Sequence, residues 1–391
     1  MTHLVAALVT LAISGRTNAT PSVAAANHFV AVAWGATLPG RGTDVYAAVS
    51  RDGGRTFRQP VRVNDVEGSA SLSLEQPPRV SLVTRTGKDP SIVVVWTAKS
   101  KEGTRVLVSR SEDSGASFTP SAVVGGSDAP GNRGWVSTAV DRSGHVIAVW
   151  LDHRDMTSGH DHASHAPKSD GAVRAQASKL YFATIDAPPS AQSLTGGVCY
   201  CCKTAVTTGP DGAIYAAWRH VYPGNIRDIG FIGSRDNGRT FSTPIRVSND
   251  GWMIEGCPEN GPALAVGADN VVHVLWPTLV PAAHSTDEPS LALFHAATRD
   301  GRTFSKRERV ATEGTPRHPQ LVSTSRGVAA AWDEEVDGGA RRVVFMSGLT
   351  DGREVLSAVR AQTPTLAATD DGVVIAWTEG TDASAIRIAR R

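Results

Sequence analysis

Seven runs of small and β-branched residues recur along the chain, and each run ends in a tryptophan. The runs are HFVAVAW, SIVVVW, HVIAVW, AIYAAW, VVHVLW, GVAAAW and GVVIAW, ending at Trp34, Trp96, Trp150, Trp218, Trp276, Trp332 and Trp377. Short runs of this composition are typical of strands buried on both faces. A shorter strand-like segment and a turn precede each run, and further segments follow it. The pattern predicts repeated units of four antiparallel strands, which is the blade pattern of a β-propeller.

The seventh unit ends at Arg391 after its third strand. Val9 to Ser14 (VTLAIS) has the composition of a strand, and we expect it to pair with Ser384 to Arg390 and close the ring. The prediction is one all-β domain over residues 1–391, with seven blades and with six as the alternative. Leu4 to Ile13 also resembles the apolar part of a signal peptide, so residues 1–8 are a candidate remnant of an export signal.

A second repeat, S-x-D-x-G-x-T-F, occupies the turns between the third and fourth strands of four units. The copies contain Asp52, Asp113, Asp236 and Asp300, and the last copy is one residue shorter. An Asp and a following Gly between two strands are typical of a tight turn. This motif is the Asp-box, or BNR repeat, and at these positions the chain resembles the sialidase-like β-propeller superfamily. The early Arg-Ile-Pro motif of authentic sialidases is absent, and those enzymes have six blades.

The resemblance implies a glycoside hydrolase of the sialidase type, or a propeller that binds glycans, as one hypothesis for the function. Sialidase chemistry needs arginines that hold a carboxylate, a tyrosine nucleophile and an acidic proton donor. Under this hypothesis the candidates are Arg133, Arg219 and Arg317 for the carboxylate, Tyr222 for the nucleophile and Asp152 for the donor.

The blade topology predicts where other ligand-binding residues lie. Loops before first strands and loops after the tryptophans share one face of a propeller, and the Asp-box turns lie on the other. Binding residues concentrate on loops that a rigid scaffold holds. Candidate ligand-binding residues on the first face are Lys203, Arg227, Asp228, Glu259 and His318. For the segment WRHVYPGNIRD, which contains Arg227 and Asp228, an anion site and a salt-bridged loop both remain open.

All four cysteines fall on the same predicted face. Cys199, Cys201 and Cys202 lie in the segment VCYCCKTAV before blade 4, and Cys257 lies before blade 5. One interpretation is structural disulfides in an exported protein. A second is a copper or zinc site of these sulfurs with His153 and His220, because thiolate and imidazole suit soft or borderline ions. A third is a redox pair of the vicinal Cys201 and Cys202.

The composition limits the classes of partner that we expect this protein to bind. Lys and Arg total 39 against 38 Asp and Glu, for a formal net charge of +1, so nothing favours binding to nucleic acid or to an anionic membrane. No apolar run has the roughly 18 residues of a membrane-spanning helix. We therefore expect a monomer outside the cytoplasm, periplasmic or secreted, that binds a small molecule, a glycan or a metal ion. Copper or zinc is the expected cofactor if there is one.

Overall fold

The computed structural model describes residues 8–156, 171–185, 191–254, 256, 258–281 and 288–391. In these ranges the strands form seven four-stranded antiparallel sheets, and the helical elements are α1 (Gly171–Gln176) and a 3₁₀ turn at Asp337–Gly339. The first strands of all seven sheets line a central cavity of about 160 Å³. The prediction of a seven-bladed all-β propeller is confirmed, and the six-bladed alternative is excluded.

Blades 1 to 4 follow the chain, each with its strands in sequence order. Blade 1 contains β2 (Thr17–Ala26), β3 (Phe29–Leu38), β4 (Gly42–Ser50) and β5 (Val61–Arg62). Blade 2 contains β6 (Arg79–Arg85), β7 (Lys88–Ser100), β8 (Gly103–Ser111) and β9 (Ala122–Val123). Blade 3 contains β10 (Arg133–Val140), β11 (Val146–Asp152), β12 (Lys179–Thr184) and β13 (Gln192–Thr195). Blade 4 contains β14 (Ala205–Thr208), β15 (Ile214–Arg219), β16 (Ile229–Ser234) and β17 (Ile245–Arg246).

Blades 5 to 7 complete the ring, and the last of them takes its outer strand from the other end of the described chain. Blade 5 contains β18 (Ala263–Val266), β19 (Val272–Val280), β20 (Ser290–Thr298) and β21 (Glu308–Val310). Blade 6 contains β22 (Thr315–Thr324), β23 (Gly327–Val336), β24 (Ala340–Met346) and β25 (Glu354–Ser357). Blade 7 contains β26 (Ala361–Thr369), β27 (Gly372–Glu379), β28 (Ala385–Arg390) and β1 (Val9–Leu11).

Strand β1 closes the ring as the sequence predicts. It runs antiparallel to β28, with Val9 opposite Ile388 and Leu11 opposite Ile386. Leu11 is buried against the apolar side chains between blades 7 and 1. The strand ends before Ser14 because the Asn18 side chain accepts the Ile13 N–H at 2.8 Å and turns the chain.

The seven tryptophans occupy equivalent places on the second strands, and each is at most 1 % exposed. A buried indole N–H needs an acceptor. In four blades that acceptor is two residues further along the chain, on the second strand or directly after its end, so both side chains lie on one face of the sheet. These acceptors are Asp152, His220, Glu334 and Glu379. Several polar residues that follow the tryptophans therefore have a structural role, besides any contact they make at the propeller face.

The Asp-box turns fold as the motif predicts. In the second copy Asp113 accepts the backbone N–H of Ser117 at 3.0 Å and the hydroxyl of Ser111 at 2.7 Å. The Ser117 hydroxyl and N–H hold the pKa of Asp113 at about 2. Equivalent bonds are made by Asp52, Asp236 and Asp300. These turns join third to fourth strands, at the end of each sheet opposite the loops that precede the first strands.

Candidate thiol site and channel mouth

Three cysteine side chains meet where the chain approaches blade 4. The Sγ atoms of Cys199 and Cys202 are 3.6 Å apart, and that of Cys201 lies 3.7 Å from the first and 4.0 Å from the second. All three are buried, and Cys199 and Cys202 are free thiols. A disulfide needs sulfurs about 2.05 Å apart, so no disulfide joins any two of the three. Their predicted clustering is confirmed, while Cys257 lies outside the described residues.

The spacing of the three sulfurs suits a single ion. The three separations define a triangle whose corners lie about 2.2 Å from its centre. Zinc–thiolate bonds are about 2.3 Å long, so sulfurs with this spacing could be ligands of one ion. In the described part of the chain, these cysteines are the group of three ligand-type residues whose donor atoms lie within 4.8 Å of one another.

Two buried arginines surround the sulfurs with positive charge. The Arg227 guanidinium is fully buried, and its Nη1 lies 3.2 Å from Cys199 Sγ. Its Nε donates to Asn225 Oδ1 at 3.1 Å, whereas its Nη2 has no hydrogen-bond partner within the described ranges. Arg219 donates to the carbonyls of Asn260, Pro277 and Arg227 and lies over the Trp252 ring. Neither guanidinium forms an ion pair with a described carboxylate.

Charge, hydrogen bonding and burial shift the pKa values of the two free thiols in opposite directions. The hydrogen bond from Cys202, followed by the charges of Arg227 and Arg219, lowers the pKa of Cys199 to about 6 against the effect of burial. Burial raises the pKa of Cys202 well above its usual range, and the bond to Cys199 adds to the rise. The surroundings therefore favour the thiolate at Cys199 and the thiol at Cys202.

The thiol site is covered by apolar groups from two blades. Ala175 of α1, Val221 and Trp135 pack against the cysteines. Behind them, the ring of His153 lies 5.3 Å from that of Trp135. Burial lowers the pKa of His153 to about 4, and its Nε2 lacks a partner within the described residues. His153 is thus one ring away from the sulfurs, and its role as a metal ligand stays a prediction.

His220, the second predicted imidazole ligand, lies beside the segment that leads into the three cysteines. Val198, the residue before Cys199, forms a β-bridge with His220, and this bridge places His220 near the thiol site. Its Nδ1 accepts the Trp218 indole N–H at 3.2 Å, and its ring contacts Tyr222 at 4.4 Å. Burial lowers the pKa of His220 to about 4. Only its Nε2 is left to bind a ligand, and that assignment also stays a prediction.

A second group of charged residues lies at the mouth of the central channel. Glu75 Oε2 accepts the backbone N–H groups of Lys203 and Gly261, each at 2.8 Å. His318 Nδ1 lies 2.7 Å from Asp333 Oδ1, and its Nε2 lies 3.9 Å from Glu75 Oε1. Burial alone would lower the pKa of His318, but the Asp333 charge and hydrogen bond raise it. The imidazole thus stands between two buried carboxylates, which favour its protonated form.

Lys203 belongs to the same group. Its ammonium donates to the carbonyls of Pro262 and Pro319 at 3.0 and 2.6 Å. Burial lowers its pKa to about 8. Two carboxylate oxygens of the group, Glu75 Oε1 and Asp333 Oδ2, have no hydrogen-bond partner in the described chain. The ligand-binding candidates Lys203 and His318 are therefore brought together, with Glu75 and Asp333 as neighbours.

These contacts extend around the mouth from blade to blade. In four blades the first strand has a β-bulge that contains a residue at positive φ, namely Thr20, Trp135, His318 and Thr363. Three of these bulges are held by the preceding blade: Thr378 accepts the Thr20 N–H, Gln76 that of Trp135, and Asp333 that of Thr363. Together with Glu75, these side chains form what we call the mouth hoop.

Two of the predicted glycosidase residues form an internal ion pair in blade 3. Arg133 and Asp152 are fully buried, with Arg133 Nε 3.2 Å from Asp152 Oδ2. Arg133 also donates to the carbonyls of Ala129, Pro130 and Gly131. Asp152 accepts from the Trp150 indole and from Arg154. These bonds occupy both groups and leave neither directed at the channel.

The other predicted residues are dispersed. Tyr222 packs its ring under the Arg246 guanidinium, and Asp228 accepts the N–H groups of residues 250–252 and orders that loop. Arg317 pairs across the sheet with Asp333, and its Nε has no described partner. Glu259 is exposed at a positive φ of 46°. The described contacts bring no tyrosine together with a carboxylate and several free arginines, although the carboxylate of Glu255 falls outside them.

Sequence reasoning did not single out Glu75 and Asp333 as ligand-binding residues, although their positions put both on the predicted binding face. The available signal was position: Glu75 lies just before a first strand, and Asp333 directly follows Trp332. Neither forms a motif with Lys203 or His318, because the four residues come from distant parts of the chain. The approach of Arg227 to Cys199 was likewise not predicted.

Comparison with known proteins supports the fold. No family model matches the chain, and no curated protein is similar to it in sequence. The α-L-arabinanase of Penicillium chrysogenum, solved with arabinobiose, has a similar structure at 12% identity and a TM-score of 0.52, over 100% of this chain and 99% of that one. A polysaccharide lyase is similar at 10% identity and a TM-score of 0.54, over 97% and 91%.

A third similar structure is a mutant of the α-L-arabinofuranosidase from Fusarium graminearum in complex with an iminosugar inhibitor. It is 11% identical with a TM-score of 0.50, and the match covers 96% of this chain and 93% of that chain. At such low identities these similarities show a shared fold only, and the chain is not a close match to any of the three enzymes.

Proposed function

We propose that this propeller binds one soft metal ion, copper(I) in preference to zinc, at the channel mouth. The ligands are the Cys199 and Cys202 thiolates, which are the two free thiols of the described chain. The observation that carries the proposal is this buried pair, whose sulfurs lie 3.6 Å apart, a separation that two metal–thiolate bonds of about 2.3 Å to one ion can span. We further propose that the protein works outside the cytoplasm, as the apolar stretch at Leu4 to Ile13 suggests.

Charge and ligand number favour copper(I). Structural zinc sites use four ligands, whereas the described residues offer two free thiols, and no described histidine belongs to the group of closely spaced ligand atoms that the cysteines form. Thiolates are the ligands that copper(I) prefers. Two thiolates around a monovalent ion leave a net negative charge, and the buried guanidinium groups of Arg219 and Arg227 compensate it.

We assign the third sulfur, Cys201, to a disulfide with Cys257, which an oxidising compartment favours. The metal is then held by Cys199 and Cys202 alone. Peptide mapping of non-reduced protein tests this assignment, because only the disulfide links the peptides of Cys201 and Cys257.

The test is stoichiometric metal binding. The purified protein is loaded with copper(I) or zinc with and without a reductant, and bound metal is measured together with the melting temperature. We expect one copper per chain, lost in the double variant Cys199→Ser and Cys202→Ser with little change in melting, because the apolar blades hold the fold. Asp113→Asn, on the opposite face, is the control and should retain the metal. Wild-type protein that binds no metal under reducing conditions would refute the proposal.

A second candidate function is binding or hydrolysis of a glycan at the mouth. The observation that favours it is the gap of 3.9 Å between His318 Nε2 and Glu75 Oε1, which a sugar hydroxyl can bridge by accepting from one and donating to the other. The similar folds act on, or are solved with, carbohydrate ligands. Incubation with arabinan, other polysaccharides and a fluorogenic sialoside, with Glu75→Gln as comparison, tests this function. If wild type and Glu75→Gln bind or hydrolyse these carbohydrates equally, the site between His318 and Glu75 is not the glycan site.

A further inference from the structure

We propose that Cys199 and Cys202 form a dithiol that reduces hydroperoxides, with Arg227 positioned at the reacting sulfur. This activity goes beyond metal binding and needs no metal ion. It would also control the proposed metal site, because a disulfide between these residues no longer offers two thiolates.

The first support is the pairing itself. Cys199 and Cys202 are the two free thiols of the described chain, and they are separated by two residues. Their sulfurs lie 3.6 Å apart, and rotation of the side chains has to bring them about 1.6 Å closer to reach disulfide length. Their spacing is that of Cys-X-X-Cys redox motifs. The structure thus favours the outer pair over the vicinal Cys201 and Cys202, whose sulfurs are 4.0 Å apart.

The second support is the geometry of Arg227. One nitrogen, Nη1, contacts Cys199 Sγ at 3.2 Å, and the other, Nη2, is buried without a described partner. A buried donor without a partner is costly, and this one belongs to the guanidinium that touches the sulfur. A peroxide oxygen near that sulfur can accept from Nη2. This arrangement assigns the attack to Cys199 and leaves Cys202 to complete the reaction.

The proposed steps balance. The Cys199 thiolate attacks one peroxide oxygen, the O–O bond breaks, and the other oxygen leaves as water or an alcohol after taking up a proton. Cys199 becomes a sulfenic acid, which condenses readily with a nearby thiol. Cys202 then attacks the Cys199 sulfur, the S–S bond forms, the S–O bond breaks, and the oxygen leaves as water with the Cys202 proton. Two thiols are oxidised and one peroxide is reduced, and an external dithiol restores the pair.

The cover of the site predicts which peroxides react. Cys199 and Cys202 are 1 and 2 % exposed, beneath Ala175 and Trp135. Hydrogen peroxide is close to water in size, whereas cumene hydroperoxide carries a bulky aromatic group. We therefore expect hydrogen peroxide to react at least tenfold faster than cumene hydroperoxide.

The experiment uses full-length protein freed of metal by a chelator. Hydrogen peroxide is added, and thiol loss, peptide masses and peroxide consumption with dithiothreitol are followed. We expect a disulfide between Cys199 and Cys202. Cys199→Ser should abolish the reaction, and Cys202→Ser should stop at a sulfenic acid that dimedone traps. Dimedone is added after the protein is unfolded in acid, because the cover of the site excludes bulky reagents from the folded protein. Arg227→Met should slow the reaction at least tenfold, and exposed Arg239→Met on the opposite face should not. If the Arg227→Met variant does not fold, Arg227→Lys replaces it in this comparison of rates.

Several outcomes would overturn the proposal. One is wild-type protein that forms no disulfide at millimolar peroxide, and another is Cys199→Ser reacting at the wild-type rate. Mapping of the new disulfide to Cys201 would remove the role assigned to Cys202. Metal binding and peroxide reduction are measured in separate experiments, so a negative result for one proposal does not refute the other.

Discussion

Replacing Arg227 by methionine should raise the pKa of Cys199. The change removes a cation that contacts the sulfur and leaves an apolar side chain of similar length in the buried space. Arg227 Nη1 lies 3.2 Å from Cys199 Sγ, and the pKa of Cys199 is about 6 in the intact site. The thiolate of the variant is therefore less stable relative to the thiol.

The size of the change follows from distance and burial. Unit charges 3.2 Å apart attract by about 5 kcal/mol at an effective dielectric constant near 20, which is an upper bound. One pKa unit corresponds to 1.36 kcal/mol. The hydrogen bond from Cys202 and the charge of Arg219 remain in the variant and keep part of the lowering. We expect a rise of at least about one unit, so that much of Cys199 is protonated at neutral pH.

The assay is the ultraviolet absorbance of the thiolate, titrated with pH in metal-free protein and compared with Cys199→Ser to isolate the signal of one sulfur. Arg239→Met is the matched control, since Arg239 is exposed in the Asp-box turn of the same blade. If the Cys199 titration midpoint is the same in Arg227→Met and in wild type, the thiolate is not stabilised by this guanidinium, and the electrostatic account of the site is wrong.

Three other predictions concern the scaffold. Asp52→Ala removes the acceptor of several turn hydrogen bonds and should lower the free energy of unfolding by about 1 kcal/mol; metal loading should not change, and a loss of metal without unfolding would invert the assignment of faces. The pKa values of Asp113, Asp236 and Asp300 are about 2, so their contribution is complete above their ordinary pKa and is lost as the pH falls towards 2. Melting curves between pH 2 and 5 should show this loss, and Asp113→Asn should reduce it; an unchanged pH profile would contradict the reasoning. Leu11→Ala should cost about 2–3 kcal/mol in urea denaturation, with exposed Ala12→Ser as control; equal values for both would mean that β1 does not stabilise the closed ring.

The scaffold could be predicted because its signals are local and repeated. Each tryptophan marks a second strand, and each Asp-box specifies a turn through bonds within a few residues. The closure by β1 followed from counting, since one unit lacked a fourth strand. The end of that strand was not predicted, because it depends on the Asn18 side chain that accepts the Ile13 N–H.

The thiol site could be predicted only in outline. The crowding of three cysteines before one strand indicated a cluster, but the pairing depends on side-chain directions that sequence does not show. The Cys-X-X-Cys spacing of Cys199 and Cys202 was visible, whereas the adjacency of Cys201 and Cys202 suggested a different pair. Arg227 reaches Cys199 from another loop of blade 4, and contacts of this kind follow no local pattern.

The mouth hoop has a consequence for how a ligand enters. Its hydrogen bonds tie the backbone of blades 1, 3 and 7 to side chains of blades 7, 2 and 6, and Glu75 of blade 2 ties in blades 4 and 5. Separating two blades that such a bond joins would leave a buried or partly buried N–H group without its acceptor. The bonds therefore resist widening of the channel mouth. The cover over the sulfurs is made by Trp135 and α1, so a small molecule could reach the thiols by a movement of this cover, without separation of the blades.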